Sequence, residues 1–272
     1  MESRLLLRVA LGVLALVSQG ANAHDTFLLP AEWDITPGQP VALELSSGSA
    51  FPALGSGPTP NRVVALGGQA VAPDGRSPVS MRIAGHTEQA LTLQLSAAGP
   101  GVVVAGLSLA ARDIDLEPKS VAHYFDEIRP SQAVRDAWAE SGADVLRESY
   151  AKHAKVVLCA TACGPNDASP TALGHALEFL PLAQRDRGMQ RFRLLIEGAP
   201  AAHHPLNHWS ANGDHVALRT DADGVVEIRF VTPGPAMLSA VNLRPPAGEG
   251  ERFQSDFATL TLLVPAIRGR AP

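Results

Sequence analysis

The chain has 272 residues and a formal net charge of −5, and 46% of its residues are hydrophobic. A mild negative charge without a basic stripe excludes nucleic-acid binding as the main function. Glycine and proline number 24 and 22, whereas aromatic residues make up 5%. This composition predicts a mainly β protein with an apolar core of ordinary size.

Residues 1–23 have the pattern of a secretory signal peptide. Two arginines precede a short apolar run at 9–17, and the segment ends in Ala21-Asn22-Ala23, a small-residue cleavage site. The run is shorter than the roughly 20 residues that span a bilayer, and no second run follows it. We therefore expect a periplasmic or secreted protein that begins at His24 and has no membrane span after cleavage.

Residues 24–112 predict an N-terminal β-sandwich half. Short segments that alternate apolar and polar residues, or are wholly apolar, lie between glycine and proline turns. These expected strands are 27–29, 41–45, 63–66, 79–83, 91–95 and 102–109. A loop rich in serine, glycine and proline, 46–60, follows the second of them and is either mobile or part of a surface.

Residues 113–154 predict a helical insertion. An amphipathic helix is expected at 118–128, and a second one runs from Ser131, a plausible N-cap, through Trp138. A third helical pattern covers 143–155. These short helices separate the two β halves.

Residues 155–272 predict a C-terminal immunoglobulin-like β-sandwich, because strands recur at regular spacing with turn signals between them. The expected strands are 155–158, 176–182, 190–196, 216–219, 225–230, 236–242 and 258–264. The turn at 220–224 is expected to join a hairpin. The fold class is therefore mainly β, with two immunoglobulin-like or transthyretin-like sandwich halves around a short helical insertion.

The chain has two cysteines, Cys159 and Cys163. In an oxidising compartment such a neighbouring pair most often forms a disulfide. Free thiols and a soft-metal site are the alternatives.

His24 is the first candidate metal ligand. If cleavage follows Ala23, this residue carries a free α-amine and an imidazole, and both nitrogens can chelate one transition-metal ion. The alternative is an ordinary exposed terminus.

Four of the nine histidines cluster at 203–215. Imidazole suits nickel, cobalt, copper and zinc, so His203, His204 and His208 could join His24 around one divalent ion. Their spacing fits no rigid motif, and Pro205 excludes a helix through them. A polar surface loop is the alternative.

No catalytic machinery is apparent in the sequence. It has no nucleophile elbow, P-loop or dinucleotide fingerprint, so we predict no enzyme and no catalytic residues. Asp113, Asp115 and Glu117 are expected to form a solvated edge, with a hard-metal site as the alternative. A copper-dependent oxidase would need a second histidine facing His24, which the spacing does not show.

Several segments resemble a family of secreted bacterial proteins of unassigned function, described in places as periplasmic components of cobalt or nickel ABC-type uptake systems. The segments are 24–30 (HDTFLLP), 124–128 (YFDEI), 148–155 (ESYAKHAK), 173–182 (LGHALEFLPL), 220–224 (TDADG) and 255–260 (SDFATL). The resemblance implies a periplasmic β-rich protein in which the residue after the signal, His24, touches the metal. The second half also resembles transthyretin-like repeats of carbohydrate-binding and carboxypeptidase-associated modules.

The chain departs from the family pattern at two places. Leu28 stands where relatives have tryptophan, and Asn242-Leu243 stand where relatives often have His-Met. If that family histidine is a ligand, this chain lacks it. The resemblance therefore carries over to His24 alone.

The resulting prediction is a periplasmic transition-metal-binding protein, an accessory to nickel or cobalt uptake, that uses the mature N-terminal His24. Its partners would be a divalent metal ion and a membrane transporter or an outer-membrane receptor, with no nucleic acid. The alternative is a β-sandwich adhesion or binding module without metal.

Overall fold

The computed structural model describes residues 24–161, 163, 171–183, 189–248 and 250–266. The expected signal peptide at 1–23 lies outside these residues. The strands are β1 Asp25–Pro30, β2 Asp34–Ile35, β3 Val41–Gly48, β4 Val63–Ala72, β5 Gly75–His86, β6 Leu91–Ala97, β7 Gly101–Leu116, β8 Leu146–Ala160, β9 Leu177–Leu182, β10 Gln190–Ile196, β11 Ala199–Pro200, β12 Pro205–Trp209, β13 His215–Arg219, β14 Val225–Ile228, β15 Gly234–Arg244 and β16 Phe253–Val264. The helices are α1 Pro118–Ile128 and α2 Gln132–Ser141, and a 3-10 turn spans Pro60–Arg62.

One long sheet runs through most of the described chain, in the order β1-β3-β6-β5-β4-β7-β8-β16-β15-β12-β13, with β2 also paired to β8. Its first part curls so that β1, β3, β6 and β5 face β4, β7 and β8. Alternate residues of these strands point inward and form one apolar core, which includes Leu28, Leu43, Leu93, Val103 and Val156.

The second part of the long sheet packs against a smaller sheet. In the smaller sheet β10 pairs with β9 on one edge and with β11 and β14 on the other. Their shared core includes Phe179, Phe192, Leu238 and Leu260. Two sheets facing each other across an apolar core are the arrangement of an immunoglobulin-like sandwich.

The predicted fold class is confirmed. The chain is mainly β, and two sandwich-like halves flank a helical insertion. The halves share β8 within one continuous sheet, and the division of the chain at residues 112 and 154 stays a prediction.

The two helices cover one end of this sheet. Tyr124, Phe125 and Val134 pack there against Phe253 and Phe257 of β16. The predicted N-cap is confirmed, because the Ser131 hydroxyl accepts a hydrogen bond from the Val134 amide.

The third helix predicted over 143–155 is wrong. Residues 146–155 belong to β8, which pairs antiparallel with β7 and parallel with β16. The charged residues Glu148, Lys152 and Lys155 recur every three to four positions, a spacing that is compatible with a helix. Pairing on both edges overrides that local preference, because a buried central strand satisfies its backbone through its neighbours.

Two expectations about the second half are also corrected. The histidine-rich stretch contains strand β12, which pairs with β13 and β15, so it is not wholly a surface loop. The turn at 220–224 does not join a hairpin. It carries the chain from β13 in the long sheet to β14 in the smaller one.

The predicted disulfide is confirmed. Cys159, near the end of β8, is bonded to Cys163, and their Cα atoms are 5.7 Å apart. The bond therefore closes a very short loop directly after the central strand.

A buried ion pair joins the two sheets of the second half. The Lys155 ammonium lies 2.8 Å from a Glu178 carboxylate oxygen, and both side chains are at most 2% exposed. Lys155 also donates to the carbonyl oxygen of Phe179. Glu178 accepts hydrogen bonds from the amides of Leu173 and Gly174. Each charge is thus balanced by its partner and by backbone dipoles.

We expect Glu178→Gln to lower the free energy of unfolding by about 3 kcal/mol, because it leaves the Lys155 charge buried without a countercharge. Urea denaturation of the oxidised protein measures the change. The control is Glu227→Gln. The Glu227 carboxylate is half-exposed and pairs with Arg191 at 3.0 Å, so its loss should lower the free energy of unfolding by less than about 1 kcal/mol. Equal losses in the two variants would contradict the expectation.

Candidate functional site

A cavity of about 470 Å³ opens where the start of β1 meets β7, β8 and α1. This volume is within the range of about 300–1,000 Å³ that is typical of small-molecule sites. Its polar and charged lining residues are His24, Ser47, Ser56, Thr59, Arg62, Arg112, Asp113, Tyr124, Glu148, Tyr150 and Lys152.

Strand β8 supplies the charged floor of this cavity. Side chains alternate between the two faces of a strand, so Glu148, Tyr150 and Lys152 share one face, and all three line the cavity. Tyr150 also packs edge-to-face against Phe257, with the ring centroids 6.0 Å apart.

Lys152 holds the first residue of the expected mature chain. Its ammonium donates a hydrogen bond of 2.5 Å to the carbonyl oxygen of His24. The same ammonium lies 5.5 Å from the ring centroid of Tyr150 and 5.3 Å from that of Phe257. Burial lowers the pKa of Lys152 to about 8, against the opposing attraction of Asp25.

His24 lies half-buried in the wall of the cavity. Burial, followed by the nearby Lys152 charge, lowers the pKa of its imidazole. The ring is therefore neutral near pH 7 and keeps a nitrogen lone pair available for a hydrogen bond or a metal ion.

Glu148 is the buried acid of the cavity. Its carboxylate accepts hydrogen bonds from the hydroxyls of Tyr124, at 2.9 Å, and Ser255. Burial raises its pKa, which the two hydroxyls and Lys152 partly oppose. The same burial and the Glu148 charge raise the pKa of Tyr124 well above its usual value.

Asp25 points to the other side of β1, where it lines a crevice with residues of α1 and β15. Burial raises the pKa of its carboxyl to about 7, although Ser239 and Lys152 favour the ionised form. Lys152 is thus electrostatically linked to acids on both sides of β1.

The structure does not bring the predicted metal ligands together. His203 lies in an exposed turn with φ of 53°, whereas the Nε2 of His204 is 3.1 Å from the carbonyl oxygen of Val241. His208 is 8% exposed, and its ring packs edge-to-face on Phe230 of the second core. His24 lies in the cavity wall, which none of the other three lines.

In the described part of the chain, no group of three or more His, Cys, Asp or Glu residues is arranged to hold a metal ion. The acids at the end of β7 are engaged in ion pairs. Arg252 binds Asp113 at 3.1 Å and Asp115 at 2.6 Å, and Lys119 lies 3.0 Å from Glu117.

Sequence reasoning missed the side chains that surround His24. The sequence predicts a helix here, on which Glu148 and Lys152 share a face but Tyr150 does not. The signal was present, since Glu-x-Tyr-x-Lys places charged and aromatic groups at every second position, which is the period of a strand.

The opposite face of β8 carries a second polar cluster, separate from the cavity. The His153 ring bridges Ser108, at 2.8 Å from Nδ1, and Asp256, at 3.2 Å from Nε2. Arg244 binds Asp256 at 2.7 Å, and His175 stacks on His153 with centroids 5.1 Å apart. Burial, and then the His153 charge, lowers the pKa of His175 to about 4.

A family model, DUF4198, a domain of unknown function, matches residues 21–244. The chain belongs to this family. DUF4198 membership confirms the expected relationship to a family of unassigned function and covers both β halves. No curated protein matches the chain.

One solved structure, the D0-D1 domain of Intimin, aligns with this chain at 12% sequence identity and a TM-score of 0.19. The alignment covers 88% of this chain and 98% of the Intimin chain. Neither a fold nor a function is inferred at that score. Within the described residues, no helix has both the length and the apolar character needed to cross a bilayer.

We expect Tyr124→Phe to lower the free energy of unfolding by about 1–3 kcal/mol, because buried Glu148 then loses a hydrogen-bond donor. Tyr150→Phe is a matched control, since it removes the chain's other tyrosine hydroxyl, which has no hydrogen bond to a described residue. The control should change stability by less than about 0.5 kcal/mol. Chemical denaturation at pH 7 measures both, and a control as damaging as Tyr124→Phe would refute this role of Glu148.

Proposed function

We propose that the mature protein is an exported metal-binding protein that captures a divalent transition-metal ion at its own first residue, His24. The observation that carries the proposal is the placement of His24 in the wall of a small-molecule-sized cavity, with its carbonyl oxygen fixed by Lys152. Capture of nickel or cobalt for a membrane transporter or an outer-membrane receptor is part of this proposal, as the family resemblance suggests.

A chain terminus that is held in place loses less conformational entropy when it chelates a metal ion. The backbone shortly after His24 is held by side chains of the last strand. Thr259 donates a hydrogen bond of 2.6 Å to the carbonyl oxygen of Thr26, and Thr261 donates one of 2.6 Å to that of Leu28. Together with Lys152, these bonds anchor β1 through to its first residue. Folding has therefore already removed much of the conformational entropy that a free terminus would lose on binding the metal.

The donor atoms suit a borderline metal. Cleavage after Ala23 gives His24 an α-amine beside its imidazole, and a chelate through both nitrogens would suit nickel, cobalt, copper or zinc. Two nitrogens leave further coordination positions for water or for a bound ligand. His203, His204 and His208 are left out of this proposed ligand set because they do not line the cavity.

Export also fits the described chemistry. The disulfide between Cys159 and Cys163 is of a kind that persists in oxidising compartments such as the periplasm. It supports the periplasmic or secreted location that the predicted signal peptide requires.

The test compares two chains that differ at the terminus alone. One begins at His24, and the other carries six additional glycine and serine residues before it. The extension keeps the imidazole, converts the His24 α-amine into an amide and moves the new free amine too far along the chain to form a small chelate ring with the imidazole. We expect the first chain to bind one nickel ion in calorimetry, and the extended chain to bind at least about tenfold more weakly, because the second nitrogen of a chelate acts at high effective concentration.

Thermal unfolding provides a second measurement. Metal at a hundredfold excess over its Kd should stabilise the chain that begins at His24 by about 2.7 kcal/mol and raise its Tm. Cobalt, copper and zinc are compared in the same way. If the metals leave the Tm of both chains unchanged, the proposal is refuted in favour of a β-sandwich binding module that uses no metal.

A further inference from the structure

The cavity around His24 has an excess of positive charge. Its lining includes the cations Arg62, Arg112 and Lys152, whereas its acids are already engaged. Asp113 is paired with Arg252. Glu148 has accepted hydrogen bonds from two hydroxyl groups. Such a wall disfavours a bare dication and favours an anion.

Two of these cations are held against the same aromatic ring. The Arg62 guanidinium carbon and the Lys152 ammonium each lie 5.5 Å from the ring centroid of Tyr150. Like charges held against one ring repel each other. An anion between them would remove this repulsion.

The cations also keep unused hydrogen-bond donors. One terminal nitrogen of Arg62 donates a hydrogen bond of 2.8 Å to the carbonyl oxygen of Ala110. The buried Nε of the same side chain has no partner among the described residues. The exposed side chain of Arg112 makes no hydrogen bond or ion pair to the described chain. Lys152 uses one of its three donors on His24. A buried donor without a partner, as the Arg62 Nε is, is uncommon in folded proteins, and an arginine fork matches a carboxylate.

Part of the cavity wall is apolar. Ile114, Leu116, Phe257 and the ring of Tyr150 contribute carbon surface to a cavity far larger than a single tetrahedral anion. Apolar walls contribute to binding by burying carbon, which an inorganic anion lacks. Charge and shape together therefore indicate an organic anion.

We propose that this cavity binds a small organic polycarboxylate, with its carboxylate groups against Arg62, Arg112 and Lys152 and its carbon skeleton against the apolar wall. The inference rests on the proposed function in one respect. A carboxylate at this place can supply the oxygen ligands that the two His24 nitrogens leave open, so the metal enters as a carboxylate complex.

The experiment uses the chain that begins at His24, free of metal, and titrates it with citrate, acetate and inorganic phosphate in calorimetry. We expect citrate to bind with one-to-one stoichiometry. Acetate and phosphate should bind at least about tenfold more weakly, since each lacks either the multiple carboxylates or the carbon skeleton. Phosphate binding as tight as citrate binding would overturn the organic part of the proposal.

Arg112→Gln should weaken citrate binding about tenfold, because it removes a charged donor that has no partner in the described structure and so leaves the fold intact. Arg62→Gln should act in the same direction, with its Tm checked against the parent. The matched control is Arg229→Gln, which removes an equal charge from an exposed site outside the cavity lining and should leave affinity unchanged. Equal affinities in Arg112→Gln and Arg229→Gln would overturn the assignment.

A repeat with nickel separates this inference from the proposed function. If citrate binds His24→Ala without metal but nickel does not bind the parent chain, the anion site is supported and metal capture is refuted. If nickel binds equally well with and without citrate, and citrate alone gives no heat of binding, the anion site is refuted and metal capture is still supported. Tighter nickel binding in the presence of citrate supports both.

Discussion

The structure depends on the position of β8 inside the long sheet. This strand is paired with β7 on one edge and β16 on the other, so its backbone is satisfied and its side chains are divided between two layers. Lys152 enters the cavity on one face. On the other face His153 enters the second polar cluster, and Lys155 forms the buried ion pair with Glu178. Charged residues at neighbouring positions of one strand therefore serve two separate environments.

Much of the fold could be predicted from the sequence because local patterns determine it. Alternation of apolar residues at 91–95 and an apolar run at 102–109 predicted β6 and β7, and the amphipathic pattern at 118–128 matched α1. The cysteine spacing predicted the disulfide. In each case the residues that decide the structure lie next to one another in the chain.

Features that depend on distant pairing could not be predicted in this way. The segment 148–155 has a helical charge spacing. Its pairing with β7 on one edge and with β16, about a hundred residues later, on the other makes it a strand. The same error hid the candidate site, since Glu148, Tyr150 and Lys152 share a face in a strand alone. His24 was identified because its chemistry follows from its own position at the expected cleavage site.

The threonines of β16 hold β1 across a separation of 233 residues. Strand β1 therefore cannot reach its final position until β16 has been made. Contacts this remote in sequence form late, since a long loop must close before they contribute any stability. Because a polypeptide is synthesised from its amino end, the cavity around His24 is then among the final parts of the molecule to be assembled.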